Sequence, residues 1–145
     1  SGQPQVCTVV LRSSNRATNM LEFYTDADSL KFTSLVEEPK AQILIWQPDM
    51  SVQLRISVEI DLQCNDKSRK LWVKVPGPSQ ISYGKSPPTG HLISAPFDYK
   101  NMGSIDKFAV AECAIRKIDF LSLEHTHHRA QFLQIDDWAG QWVSP

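Results

Sequence analysis

Between Val52 and Leu62 the apolar residues Val52, Leu54, Ile56, Val58, Ile60 and Leu62 alternate without a break with Gln53, Arg55, Ser57, Glu59 and Asp61. Successive side chains of a strand point to opposite faces, so the pattern predicts a long strand with one face in a core and the other face polar. A two-faced strand of that length is expected in a barrel wall. The neighbouring segments fit it. Val6 to Arg12 is rich in β-branched residues and predicts a strand that pairs with Leu21 to Thr25 across a polar turn at Ser13 to Asn19. Lys40 to Gln47 predicts a buried strand closed by a turn at Pro48-Asp49. Phe108 to Leu123, Ala130 to Ile135 and Trp138 to Val143 predict further strands, the last two joined across Asp136-Asp137.

Helical signals are few. Asp28 or Ser29 can cap a helix of roughly ten residues, with an apolar stripe at Phe32, Leu35 and Val36 and a stop at Pro39. Lys67 to Lys74 predicts a second. The stretch from Val75 to Pro96 carries Pro76, Pro78, Pro87, Pro88 and Pro96, which strand pairing cannot absorb, and is expected to be a long, ordered, functional loop. The expected fold class is mainly β: an antiparallel barrel with two small helices.

A chain of 145 residues holds one core comfortably, so residues 1–145 are read as a single domain. The opening Ser1-Gly2-Gln3-Pro4 reads as a turn, which places the start inside a hairpin and implies a missing N-terminal strand or helix. With 15 basic against 16 acidic residues the chain lacks the positive excess that a nucleic-acid backbone selects. Cys7, Cys64 and Cys113 are odd in number and far apart, which suggests neither a disulfide framework nor a CxxC site and fits a cytoplasmic protein. No apolar run is long enough to predict a membrane span.

The segment Phe23-Tyr24-Thr25-Asp26-Ala27-Asp28-Ser29-Leu30-Lys31 brings a strand end, a turn and a helix start into succession. Free N–H groups and the positive end of a helix dipole favour a phosphate there, and Ser29 and Lys31 would add a hydrogen bond and a charge. A plain capped helix explains the same residues.

The order PQVCTVVLR, FYTDADSLK, EEPKAQILIW and VQLRI resembles the flavin-binding half of the pyridoxamine 5'-phosphate oxidase family, and looser similarity continues through IDFLSL, HTHHRAQF and WAGQWVSP. The resemblance implies a split β-barrel that binds FMN at the interface of a homodimer. Carried over position by position, it places Val10 and Arg12 beside the flavin, Tyr24 and Thr25 at the cofactor-binding Tyr-Thr pair, and Ser29 and Lys31 at the phosphate. Gln53 then matches a glutamine that hydrogen-bonds the ring, and Arg129 an arginine that closes the site. Carboxamide and guanidinium groups suit a flavin edge that offers donors and acceptors and gains negative charge on reduction.

The departures are equally specific. Cys7 and Leu30 replace two arginines that hold the flavin in the family, and Leu121 replaces a tryptophan that stacks on it. In KLWVKVPGPSQIS, Leu71 and Val75 stand where a tyrosine and an arginine grip the substrate phosphate; only Ser79 is kept. Two aliphatic side chains cannot compensate the desolvation of a dianion, which argues against pyridoxamine phosphate as substrate. His127 matches a substrate-contacting histidine, whereas His125 replaces an arginine. His125, His127 and His128 are read as pocket residues rather than metal ligands, and no metal is expected. Trp138 and Trp142 are expected in core or dimer packing. The resulting expectation is an FMN-dependent oxidoreductase acting on an unidentified organic small molecule, with no nucleic-acid or membrane partner. The alternatives are a non-catalytic flavin-storage module that has lost its substrate site, and a small barrel serving only protein interaction.

Overall fold

The computed structural model describes residues 3–145, so the expected turn at Ser1 to Pro4 lies partly outside the described residues. The strands are β1 (Leu11–Asn15), β2 (Met20–Asp26), β3 (Lys40–Gln47), β4 (Val52–Gln63), β5 (Lys85–Ser86), β6 (Lys100–Asn101), β7 (Phe108–Ser122), β8 (His128–Leu133) and β9 (Gly140–Val143). The helices are α1 (Leu30–Glu37), α2 (Asp66–Trp72) and α3 (Gly77–Gln80). All seven strands of the main sheet pair antiparallel, in the order β1-β2-β7-β4-β3, with β8 and β9 added beside β7; β5 and β6 form a separate two-stranded ribbon.

β7 organises the molecule. One edge pairs with β4 along nearly its whole length, while the other edge pairs first with β2, from Phe108 to Ala114, and then with β8, from Lys117 to Ser122. The change of neighbour coincides with a bulge: Val58 pairs Ile115 and Ser57 pairs Lys117, leaving Arg116 extra. An extra residue reverses the faces of everything that follows. Before the bulge Ala111 and Cys113 point into the main core with Leu21, Phe23, Ile56, Val58 and Ile60; after it Ile118 does. The opposite face before the bulge carries Phe108 and Val110, which pack with Val75, Tyr83, Tyr24, Leu71 and Trp72 in a second cluster. After the bulge the same face carries Lys117, Asp119 and Leu121.

Several expectations change at the edges. β1 begins at Leu11, not Val6, because residues 6–10 pair with no strand among the described residues, and the register shifts between Leu11 and Ser13. The turn is accordingly narrower, at residues 16–19. β3 has the expected bounds but is not buried: it forms the outer edge of the sheet, with Leu44 and Trp46 64% and 48% exposed. The first helix is eight residues, capped by Ser29 and stopped before Pro39 as expected. The Val75 to Pro96 stretch contains α3, a third short helix. Trp142 is 78% exposed on the terminal edge strand rather than in a core.

Candidate functional site

Strand β2 leaves the sheet at Thr25-Asp26, and the turn that follows is held by local hydrogen bonds. Ser29 Oγ donates to the Asp26 carbonyl at 2.7 Å and accepts from Phe32 N–H at 3.2 Å, which caps α1. The Thr25 and Ser29 hydroxyls lie 3.3 Å apart. Asp26, buried, accepts from Asp28 N–H at 2.8 Å and from Gly84 N–H at 2.7 Å, and this second bond ties the long loop to the turn. Gly84 has φ of +76°, and a Cβ there would meet Ser104 Cβ at 3.0 Å, so the tie requires glycine.

The loop thereby forms one wall of an open cavity of about 300 Å³ over the start of α1. Val10, Arg12, Tyr24, Thr25, Ser29, Lys31 and Ser79 all line it, joined by Thr8, Asp26, Ser82, Tyr83 and Thr89. Arg12 lies over the Tyr24 ring, 5.4 Å from its centroid. Burial pushes the Tyr83 phenol up and the Arg12 charge opposes it, so the hydroxyl stays protonated at neutral pH and can donate. Burial, reinforced by the Glu22 charge, likewise raises Tyr24. Lys31 and Arg12 form no ion pair among the described residues. Two cations without counter-charge, at a helix start and among hydroxyls, suit a phosphate-bearing ligand.

The other expected residues lie elsewhere. Gln53 on β4 and Arg129 on β8 both pair with Leu121 on β7, so the three form one row across the sheet. Arg129 lines a second, smaller cleft of about 160 Å³ with Gln42, Arg55, Ser57, Lys117 and Asp119, and Gln53 lines neither space. Tyr24 pairs with Val110, eleven residues before Leu121 on the same strand. At about 3.3 Å per residue that is roughly 30 Å of β7 or more between the two groups. Within one copy of the chain Gln53 and Arg129 are therefore not at the cavity with Arg12 and Lys31. His127 lies exposed in the β7–β8 connection, outside both spaces, and His128 packs between Phe120 and Trp142 at ring distances of 5.8 and 6.0 Å.

The departures also acquire positions. Val75 is 5% exposed and belongs, with Leu71, to the cluster around Phe108, so both serve a core and neither presents a polar group to the cavity. Leu30 lies against the loop at Gly90, where a Cβ would come within 3.0 Å of its Cδ1. Cys7 is exposed, whereas Cys113 is fully buried with its thiol pushed up to about 12, which makes it inert. Tyr83, Ser82, Thr89 and Thr8 had no individual sequence signal. Tyr83 is held at the cavity by the Gly84–Asp26 tie, a contact 58 residues apart in sequence, and by its ring packing on Phe108 and Trp72.

Residues 1–63 match the family model for the FMN-binding domain of pyridoxamine 5'-phosphate oxidase. Pyridoxine/pyridoxamine 5'-phosphate oxidase of Acinetobacter baumannii is 35% identical over 95 residues, 65% of this chain and 43% of that protein. The Acinetobacter baylyi enzyme is 33% identical over 93 residues, 64% of this chain and 42% of its own length. This chain thus spans less than half the length of these curated relatives. Among solved structures, a pyridoxamine 5'-phosphate oxidase-related, FMN-binding protein of Nostoc punctiforme superposes with a TM-score of 0.80 at 22% identity, covering 99% of this chain and 82% of that one. PhzG of Burkholderia lata, solved with tetrahydrophenazine-1-carboxylic acid, gives 0.69 at 17% identity, covering 94% and 73%. The class is an antiparallel split barrel. The first 63 residues are similar to the FMN-binding domain of pyridoxamine 5'-phosphate oxidase, a family whose cofactor is FMN.

Proposed function

We propose that this protein is a homodimeric flavoprotein that holds FMN between two copies of the chain and acts as an oxidoreductase on an organic small molecule. One copy would bind the phosphate end through Thr25, Ser29 and Lys31, with Val10, Arg12 and Tyr24 lining the way toward the ring. The second copy would bring Gln53 and Arg129. The observation that carries this reading is the separation along β7, because no single flavin bridges two groups so far apart within one chain. The cavity points the same way: at about 300 Å³ it lies at the lower limit of ligand pockets, on the order of 300 to 1,000 Å³, so a whole FMN calls for a further wall.

Bound FMN would supply the redox chemistry by accepting electrons from one molecule and passing them to another. The chain's own residues bind and orient it. Lys31 would balance the phosphate charge, Arg12 would add a positive charge on the way to the ring, the Tyr83 hydroxyl would donate into the cavity, and the loop from Val75 to Pro96 would wall one side of it. Ser79 at the cavity wall and His127, brought by the second copy, are the groups proposed to contact substrate. The namesake substrate is disfavoured by Val75 and Leu71, which pack inward where a phosphate grip is needed.

That same loss supports a second reading, a flavin-storage module without turnover. Absorbance of the purified full chain tests the shared claim: flavin bands, or a spectral shift on adding FMN, are expected, and neither would appear if the claim is wrong. Reduction of the bound flavin by NAD(P)H coupled to an organic acceptor supports the oxidoreductase. A flavin inert to every donor supports storage.

A further inference from the structure

Asp119 is 5% exposed on β7 and accepts four hydrogen bonds. Arg129 grips it side-on, Nε to Oδ1 at 2.9 Å and Nη2 to Oδ2 at 2.7 Å. Arg55 Nη2 donates to Oδ2 at 3.0 Å and Gln131 Nε2 to Oδ2 at 2.9 Å. The pairing ladder produces this arrangement: Arg55 on β4 and Gln131 on β8 lie directly opposite Asp119, and Arg129 is its diagonal neighbour, opposite Leu121. The bulge at Arg116 is what turns Asp119 to this face.

Such a cluster is a poor device for stability alone, because apolar residues of similar volume commonly stabilise as well or better than a buried ion pair. Its geometry has another consequence. A guanidinium carries five N–H donors in a rigid plane. Asp119 occupies the Nε and Nη2 edge of Arg129, and Nη1 makes no hydrogen bond among the described residues. Arg129 is also only about a quarter exposed, so its free donors have little room to reorient. Two guanidiniums on one carboxylate leave one net positive charge facing the row of Gln53, Leu121 and Arg129, with Lys117 adding another in the adjoining cleft.

We propose that Asp119 is a positioning residue for the second half of the flavin site: by holding one edge of Arg129 it fixes the opposite edge toward the ligand that Gln53 also faces. The inference rests on the FMN reading above. The Arg129 hydrogen bonds hold the Asp119 carboxyl well below the usual range, at about 2, so the grip is intact throughout the neutral and mildly acid range.

The test is a double-mutant cycle on the full chain, read as FMN dissociation constants by fluorescence titration, with thermal melts as the control for folding. Asp119→Asn keeps the volume and one acceptor but loses the charge, and is expected to weaken FMN binding about tenfold. In an Arg129→Ala background the same change is expected to alter affinity less than about twofold, since Asp119 would act through Arg129. Equal weakening in both backgrounds, or unaltered affinity in a folded Asp119→Asn, overturns the proposal. If Asp119→Asn does not fold, Arg129→Lys decides: it keeps the charge but not the planar two-point grip, so about tenfold weakening is expected and wild-type affinity overturns the proposal. A wild-type chain that takes up no FMN removes the flavin reading and this inference together, whereas wild-type binding with the failures just named removes this inference alone.

Discussion

The two ends of β7 present the same chemical groups in opposite states. At the β2 end, Arg12 and Lys31 line a hydroxyl-rich cavity with no carboxylate paired to them, and the nearby Asp26 is already occupied by two backbone N–H groups. At the β8 end, Arg55 and Arg129 converge on Asp119, which accepts three hydrogen bonds at Oδ2 and one at Oδ1. Cations that rest on aromatic rings without a paired carboxylate, beside a helix start, are suited to take up an anion. Cations tied to a buried carboxylate are fixed in orientation, with only a residual charge to offer. On the reading proposed above, one region would take up the phosphate and the other would present a shaped edge, a division of labour that suits a ligand held between two copies.

This contrast can be broken at its strongest point first. Asp119→Ala would leave two guanidiniums around an empty acceptor position, and a loss of about 3 kcal/mol or more is expected in urea unfolding. A loss within experimental error would mean the β8 end is not held by this carboxylate. Lys31→Ala at the other end should leave folding stability nearly unchanged while raising the FMN dissociation constant roughly tenfold to a hundredfold, the worth of one charge-assisted bond. The reverse pattern, stability lost and affinity kept, would exchange the roles of the two regions.

The acid limb sharpens the comparison. Asp119 titrates at about 2 in the fold and near 3.8 unfolded, so its contribution is fully present above about pH 4 and is lost as pH falls toward 2. That shift corresponds to about 2 kcal/mol, visible as a drop in unfolding free energy between pH 4 and 2 that is missing in Asp119→Asn. The smallest expected effect is Ser29→Ala. It removes the cap on Phe32 N–H and should cost about 1 kcal/mol, with a modest loss of FMN affinity from the same hydroxyl.

The parts of the fold that the residues announce are those governed by local periodicity. The alternation in β4, the Ser29 cap and the hairpin between β1 and β2 follow from pleat and turn chemistry within a few positions. What was misplaced depended on neighbours. Val6 to Val10 have strand composition but no strand to pair with among the described residues, and Leu44 and Trp46 have core composition but lie on an edge strand. The site divides in the same way. Seven expected residues meet in one cavity because β1, β2 and the α1 start are consecutive, with Ser79 brought by the loop. Tyr83 and Thr89 carry no local signal, since the loop that brings them is held by long-range contacts such as the Gly84–Asp26 bond and the packing of Tyr83 on Phe108. Asp119 was overlooked although the alternation Lys117, Asp119, Leu121 against Ile118, Phe120 marks it as facing away from the main core. Its burial comes from Arg55 and Arg129 on two other strands, which no local pattern reveals.

The central claim, one cavity and one distal row from different copies, is tested most directly by mixing. Lys31→Ala and Arg129→Ala chains are co-expressed, and their bound flavin is measured at an FMN concentration above the wild-type dissociation constant and below those of the two variants. If the two groups belong to different copies, half the random dimers contain one intact site, and FMN is expected in about a quarter of all sites. A mixture that binds no more flavin than either variant alone would contradict the account.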